Sequence, residues 1–227
     1  MLISSNIRIL LSILFLILIS ISSTYSQSSS DLDSLEGKFA LQFQISEDFT
    51  LTNFQGTTFS GKYHFSSRDA VRLGLSLDFG DSDVDATTNQ YDSVNVVNIN
   101  SEQNSFGITF NTQYIRYISG TNDVAFFGGV GPFITFNTST TEGKTSGFPE
   151  DINYKESNDV FAVGLDLILG VEWFFCRNMS LSVEYGLKLS YRSTTRKYEN
   201  DYILRETEDK TYRAMGNNVN FGISIYF

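Results

Sequence analysis

FAVGLDLILGVEW, residues Phe161 to Trp173, decides the fold. Phe161, Val163, Leu165, Leu167, Leu169, Val171 and Trp173 share one parity, and Gly164, Asp166, Gly170 and Glu172 fall on the other. A period of two is that of a β-strand, whose successive side chains point to opposite faces. The apolar face runs unbroken over the whole stretch and ends in an aromatic at each side. The opposite face carries glycines and acids.

The same pattern recurs seven more times: GKFALQFQI (37–45), TFSGKYHF (58–65), VRLGLSLDF (71–79), SFGITFNTQY (105–114), VAFFGGVGPFITF (124–136), LSVEYGLKLSY (181–191) and VNFGISIYF (219–227). No segment holds a helical period. The connections alternate in length. SSRDA, a segment around ISGTND, and FFCRNM are short, whereas 46–57, 80–104, 137–159 and 192–214 are long. This predicts an all-β, closed antiparallel, eight-stranded up-and-down barrel, with short turns and both chain ends at one side and long loops at the other.

Alternation does not say which face is buried, but three observations point the apolar face outward to lipid. The stripes are almost free of charge over the nine or more residues that a tilted strand needs to cross a bilayer. Gly74, Gly107, Gly129, Gly131, Gly164, Gly170, Gly186 and Gly222 lie on the polar face, as the narrow interior of an eight-stranded barrel requires. Aromatics gather at the stripe ends: Phe39, Phe65, Tyr114, Phe126, Trp173 and Phe227 on the short-turn side, and Phe59, Phe79, Phe106, Phe136, Phe161 and Tyr191 on the other. Two such girdles mark the two membrane interfaces. Pro132 cannot donate to a ladder, which predicts a bulge or strand break near Gly131–Pro132.

The chain opens with Arg8 and an apolar run from Ile9 to Ile21, followed by small polar residues. That run is short for a membrane span and reads as a cleaved signal peptide, residues 1–26, ahead of a flexible polar leader, 27–36, and a barrel domain, 37–227. Removing Arg8 takes the net charge from -10 to -11. An acidic chain is a poor partner for nucleic acid. The single Cys176 excludes an internal disulfide.

In these features the chain resembles the small eight-stranded bacterial outer-membrane barrels of the OmpX and OmpA-transmembrane-domain type. The final ISIYF, together with FGGVGPFITF and LGVEWFF, is similar to segments of that family. The resemblance implies an outer-membrane location with periplasmic N- and C-termini. It also implies outer-membrane lipid as a partner and recognition of Phe227 by the barrel-assembly machinery.

The polar face carries Lys38, Lys62, His64, Arg72, Asp78, Asp166, Glu172, Glu184 and Lys188. Inside a narrow barrel such charges must pair, which predicts a structural ion-pair network filling the lumen. Glu172 and Glu184 are placed to meet basic groups from other strands. His64 is the sole histidine, and no serine or acid stands at a recognisable catalytic spacing from it. No catalytic, cofactor-binding or metal-ligating residue is therefore assigned, and no enzyme is expected. Asp81, Asp83, Asp85, Asn89 and Asp92 echo a calcium loop, but Ala86 replaces the required glycine and the segment reads as a solvated acidic loop. Residues 80–104 hold five acids and no lysine or arginine, residues 137–159 hold five acids and two lysines, and residues 192–214 are close to balance. SVNVVNI and YILRET have strand character, so strands are expected to protrude beyond the bilayer. The expected role is structural or interactive, with the barrel anchoring acidic extracellular loops that meet a protein partner. A small-solute or hydrophobic-ligand conduit is the alternative, and a lipid-modifying enzyme stands behind both.

Deleting Phe227 should impair insertion into the membrane more than the stability of barrel already inserted. Comparing assembled fractions with unfolding midpoints checks this, and equal insertion without Phe227 would refute it.

Overall fold

The computed structural model describes residues 35–50, 55–89, 96–121, 123–146 and 152–227. The predicted signal segment and residues 27–34 of the predicted leader lie outside them. Eight strands follow in order: β1 (Phe39–Thr50), β2 (Gln55–His64), β3 (Asp69–Asn89), β4 (Val96–Thr121), β5 (Val124–Ser146), β6 (Ile152–Cys176), β7 (Met179–Asn200) and β8 (Leu204–Tyr226). Each pairs antiparallel with the next, and β8 returns to β1 through Leu41↔Ile225 and Phe43↔Ile223, closing the barrel.

The apolar parity faces outward. Leu165 is 49% exposed and Leu169 67%, whereas Asp166 and Glu172 on the opposite face are buried. Water would penalise so much exposed apolar surface, and a bilayer removes that penalty. Aromatics meet directly across strands at the long-loop end: Phe43–Phe59, Phe79–Phe106, Phe136–Phe161 and Tyr191–Tyr212, with ring centroids 5.2–5.3 Å apart. Each of the four long hairpins contributes one such pair in register. Every pair adds about 0.5–1.5 kcal/mol beyond its burial and marks the interface level. Phe65 stacks on Tyr114 toward the short turns.

Inside, at the short-turn end, Leu35, Ala40, Ala70, Ile115, Tyr117, Ala125, Phe127, Ile168 and Tyr226 form an apolar cluster. Leu35 falls in the segment read as leader, yet it is buried here and its carbonyl accepts from the Lys38 amide. The inward glycines make room for larger neighbours. A Cβ on Gly170 would strike the Phe127 ring, and one on Gly131 would strike the Thr112 carbonyl.

Pro132 interrupts the pairing of β5 on one side only. β5 runs unbroken through it, paired to β6 by Pro132↔Leu165. Toward β4 the ladder lapses at Pro132 and Gly131 and resumes in the same register on either side, at Asn111↔Phe133 and Tyr114↔Val130, so pairing is interrupted there without a bulge. The missing proline donor is absorbed where Gly131 lets the β4 and β5 backbones crowd together.

The long connections rise as strands, as the strand character of SVNVVNI and YILRET predicts. Most of 80–104, 137–159 and 192–214 is strand, paired as far as Asn89↔Val96, Thr145↔Ile152 and Glu199↔Leu204. β1 and β2 stop early, at 12 and 10 residues, while β3–β8 run 21–26. β1 leaves β8 at Ser46↔Asn220, and β2 leaves β3 at Thr57↔Leu77. Above that level the described wall is an open sheet, β3–β8, standing roughly 25 Å beyond the aromatic pairs at ordinary strand rise and tilt. Between Tyr185↔Val219 and Leu187↔Gly216, β8 carries one residue more than β7, a bulge that switches which parity of β8 faces inward.

Gly131→Val should destabilise the barrel by about 1–3 kcal/mol or block its closure, because the added methyls meet the β4 backbone. Denaturant unfolding in lipid vesicles measures it; wild-type stability would contradict the close approach.

Candidate functional site

The lumen contains two buried ion pairs that the alternation placed on the inner wall but did not match to one another. Lys62 of β2 reaches Glu172 of β6 at 2.9 Å, donating to both carboxylate oxygens. Tyr117 and Ser180 also donate to Glu172, as does Tyr226 at 2.6 Å. One carboxylate thus ties together β2, β4, β6, β7 and β8.

One level higher, Arg72 of β3 grips Glu184 of β7 with both terminal nitrogens, at 2.9 and 3.1 Å. The guanidinium also donates to Gln113 and Gln42. Gln113 passes a hydrogen bond on to Asp166 at 2.9 Å, and Gln44 donates to Glu184 at 2.7 Å. A planar fork on a carboxylate is the strongest ion-pair geometry proteins use. Lys62, Arg72, Glu172 and Glu184 are all at most 4% exposed. Among the nine predicted inner residues, the structure brings these four together as pairs and joins Asp166 through Gln113. Lys188 stands over the Phe133 ring at 5.4 Å. Asp78 packs beside Gly107. Lys38 sits at the entry turn, where its carbonyl accepts from the His64 amide.

His64 is fully buried, 5.4 Å from the Tyr117 ring and 5.7 Å from that of Tyr226. Neither ring nitrogen has a hydrogen-bond partner among the described residues. It is packed as a ring between two rings, with no hydroxyl or carboxylate bonded to it.

The acidic segments take a form that reading them as loops could not show. Asp83↔Glu102, Glu102↔Glu142, Glu142↔Lys155 and Lys155↔Glu199 are successive cross-strand pairs, so five charged residues make one row across β3 to β7. Four are acids. Lys155 pairs with Glu142, which raises the lysine's pKa above its ordinary value through a direct hydrogen bond and attraction. The row borders a groove of about 1000 Å³ that Lys144, Asn153 and Asp201 also line. Asp81, Asp83 and Asp85 lie along an extended strand opposite Asn104, Glu102 and Asn100 rather than around a calcium-type loop, and Asp92 lies outside the described residues. Among the described residues no group of three or more His, Cys, Asp or Glu side chains is arranged to hold a metal ion.

The sequence profile of the outer membrane protein beta-barrel domain family matches residues 12–227. The chain belongs to this family. It is an outer-membrane β-barrel, and its outward apolar belt is the lipid-facing surface. Among solved structures it is similar to CarO of Acinetobacter baumannii, at 10% identity over 86% of this chain and 98% of that one, with a TM-score of 0.36. It is also similar to Ail, the attachment invasion locus protein of Yersinia pestis, at 14% identity over 85% and 99%, with a TM-score of 0.31. No curated protein matches the chain.

Glu172→Ala is expected to cost about 3–5 kcal/mol, because it strands the Lys62 ammonium without a counter-charge. The double variant Lys62→Met, Glu172→Leu should recover most of that loss. Urea unfolding of vesicle-embedded protein checks both; a single variant as stable as wild type would show that the pair does not hold the barrel.

Proposed function

We propose that this barrel anchors an acidic, protruding β-sheet that binds a cationic partner outside the cell. The observation that carries the reading is the row Asp83, Glu102, Glu142, Lys155 and Glu199. Like charges directly opposite one another destabilise a sheet. Asp83, Glu102 and Glu142 repel across two successive strand boundaries, and Lys155 answers only the last of them. A basic surface laid along this face would offset the repulsion and gain from the steering that a one-signed patch provides.

The lumen is spanned by side chains at the Lys62 and Arg72 levels, which favours an anchoring role over a solute conduit. The reading is non-enzymatic, since His64 sits with no partner group and the remaining buried acids are engaged by Lys62, Arg72 and Gln113. For orientation, the long hairpins face the cell exterior and the short turns and both described ends face the periplasm, in keeping with the short periplasmic turns of bacterial barrels.

Fluorescent polylysine should bind proteoliposomes carrying the wild-type protein and be displaced by rising salt. Asp83→Asn, Glu102→Gln, Glu142→Gln and Glu199→Gln together should weaken binding by about tenfold or more, as expected when a few charge contacts are lost. Unchanged binding would remove the acidic row from the interaction.

A further inference from the structure

The β7–β8 hairpin, close to neutral as a sequence, is strongly divided by face. On the outward side Lys197 pairs with Glu206 at 3.9 Å and Lys210 with Glu208 at 2.9 Å, while Ser193 donates to Glu208. Tyr191 and Tyr212 pack together on that same side. The register then puts Ser190, Arg192, Thr194 and Arg196 of β7 on the inner face, beside Arg213, Thr211, Asp209, Thr207 and Arg205 of β8. Four arginines therefore share a face with one acid of the same hairpin, Asp209; on the adjoining strand, Glu156 has the same inward parity.

Arg192 and Arg213 are diagonal neighbours on this face, and Arg196 stands four residues further along β7. Arg213 lies opposite Ser190, one step along the face from Arg192, and Thr211 lies directly opposite Arg192. Among the described residues these three arginines enter none of the hairpin's ion pairs, although five acids stand in the same segment. Arg192 and Arg213 side by side repel one another, with Asp209 the hairpin's one acid on that face, and each offers a planar fork of donors. A tetrahedral oxyanion satisfies both conditions.

The site is also open. Among the described residues β8 has no β1 partner above Asn220, so the arginine face stands beside a lateral gap in the described wall. Arg192 and Arg213 each follow a tyrosine of the Tyr191–Tyr212 interface pair, which places them at lipid headgroup height in the leaflet at the long-loop end.

We propose that Arg192 and Arg213, with the Thr211 and Ser190 hydroxyls beside them, form a binding site for a phosphate-class oxyanion that enters through this lateral gap. A free phosphate compound and the phosphate of a lipid headgroup present the same chemistry. Two probes separate them: inorganic pyrophosphate, titrated against detergent-solubilised full-length barrel, and vesicles of phosphatidylcholine with or without phosphatidic acid. Binding of pyrophosphate assigns the site to a soluble oxyanion. Enrichment of phosphatidic acid around the protein without pyrophosphate binding assigns it to lipid. In either case Arg192→Gln with Arg213→Gln should weaken binding by about tenfold or more per arginine, the size of a lost hydrogen bond to a charged group. Lys197→Gln with Lys210→Gln removes the same charge from the opposite face and should leave binding unchanged. Retained compact mobility on unboiled gels would show both variants folded. If neither probe binds the wild type, or if the lysine variant loses as much as the arginine variant, the site does not exist.

Discussion

Everything in this molecule follows from the absence of water in the bilayer core. A backbone group facing lipid without a partner costs several kcal/mol, so a sheet that crosses must have no edge there. The pairing of β1 with β8 meets that demand, running from Ala40↔Tyr226 to Ser46↔Asn220. Closing only eight strands leaves a bore that side chains must fill. The polar groups inside cannot be hydrated freely, which is why Lys62, Arg72, Glu172 and Glu184 are matched with near-complete hydrogen bonding. Closure creates the narrow interior, and the narrow interior demands the ion pairs.

The same constraint explains why β1 and β2 can be short. Once the chain passes the aromatic pairs, water satisfies an unpaired edge, and closure is no longer required. The structure uses that freedom at the Thr57↔Leu77 and Ser46↔Asn220 levels, where the barrel becomes an open six-stranded sheet. Above that line the two faces of the wall are no longer lipid and lumen. Both are wet, and both are free to carry charge, acids on the β3–β7 outer row and arginines on the β7–β8 inner face.

That change of solvent also sets what could be read without coordinates. Within the bilayer, alternation is enforced by the contrast between lipid and lumen, so strands such as Phe161–Trp173 and the inward parity of Lys62, Arg72, Glu172 and Glu184 were legible directly. Beyond it, residues such as Asp81–Asn89 and Leu204–Thr211 form strands without any apolar face, held by ladder hydrogen bonds and neighbouring strands. Their composition is that of loops, and only short stretches such as SVNVVNI and YILRET carry a strand signal. The partner of each buried charge was equally hidden, because it depends on barrel stagger. Lys62 meets Glu172 from 110 residues away, and no spacing rule relates strands on opposite walls.

The bulge in β8 shows how one residue redirects a surface. Below it, Gly222, Ser224 and Tyr226 point inward, an even parity. Had that parity continued upward, Tyr212, Lys210, Glu208 and Glu206 would have turned into the barrel mouth, and Arg205 and Arg213 would have faced outward. Glu206 and Glu208 would then have shared the inner face with Arg192 and Arg196 of β7. The additional residue between Gly216 and Val219 reverses the order, leaving Tyr212 against Tyr191 at the interface and the arginines facing one another across the inner wall. Sheets place bulges where a side chain has to be re-aimed. Here the re-aiming satisfies the lipid interface and concentrates unpaired positive charge in one step, and a reading of parity alone would have assigned both features to the wrong face.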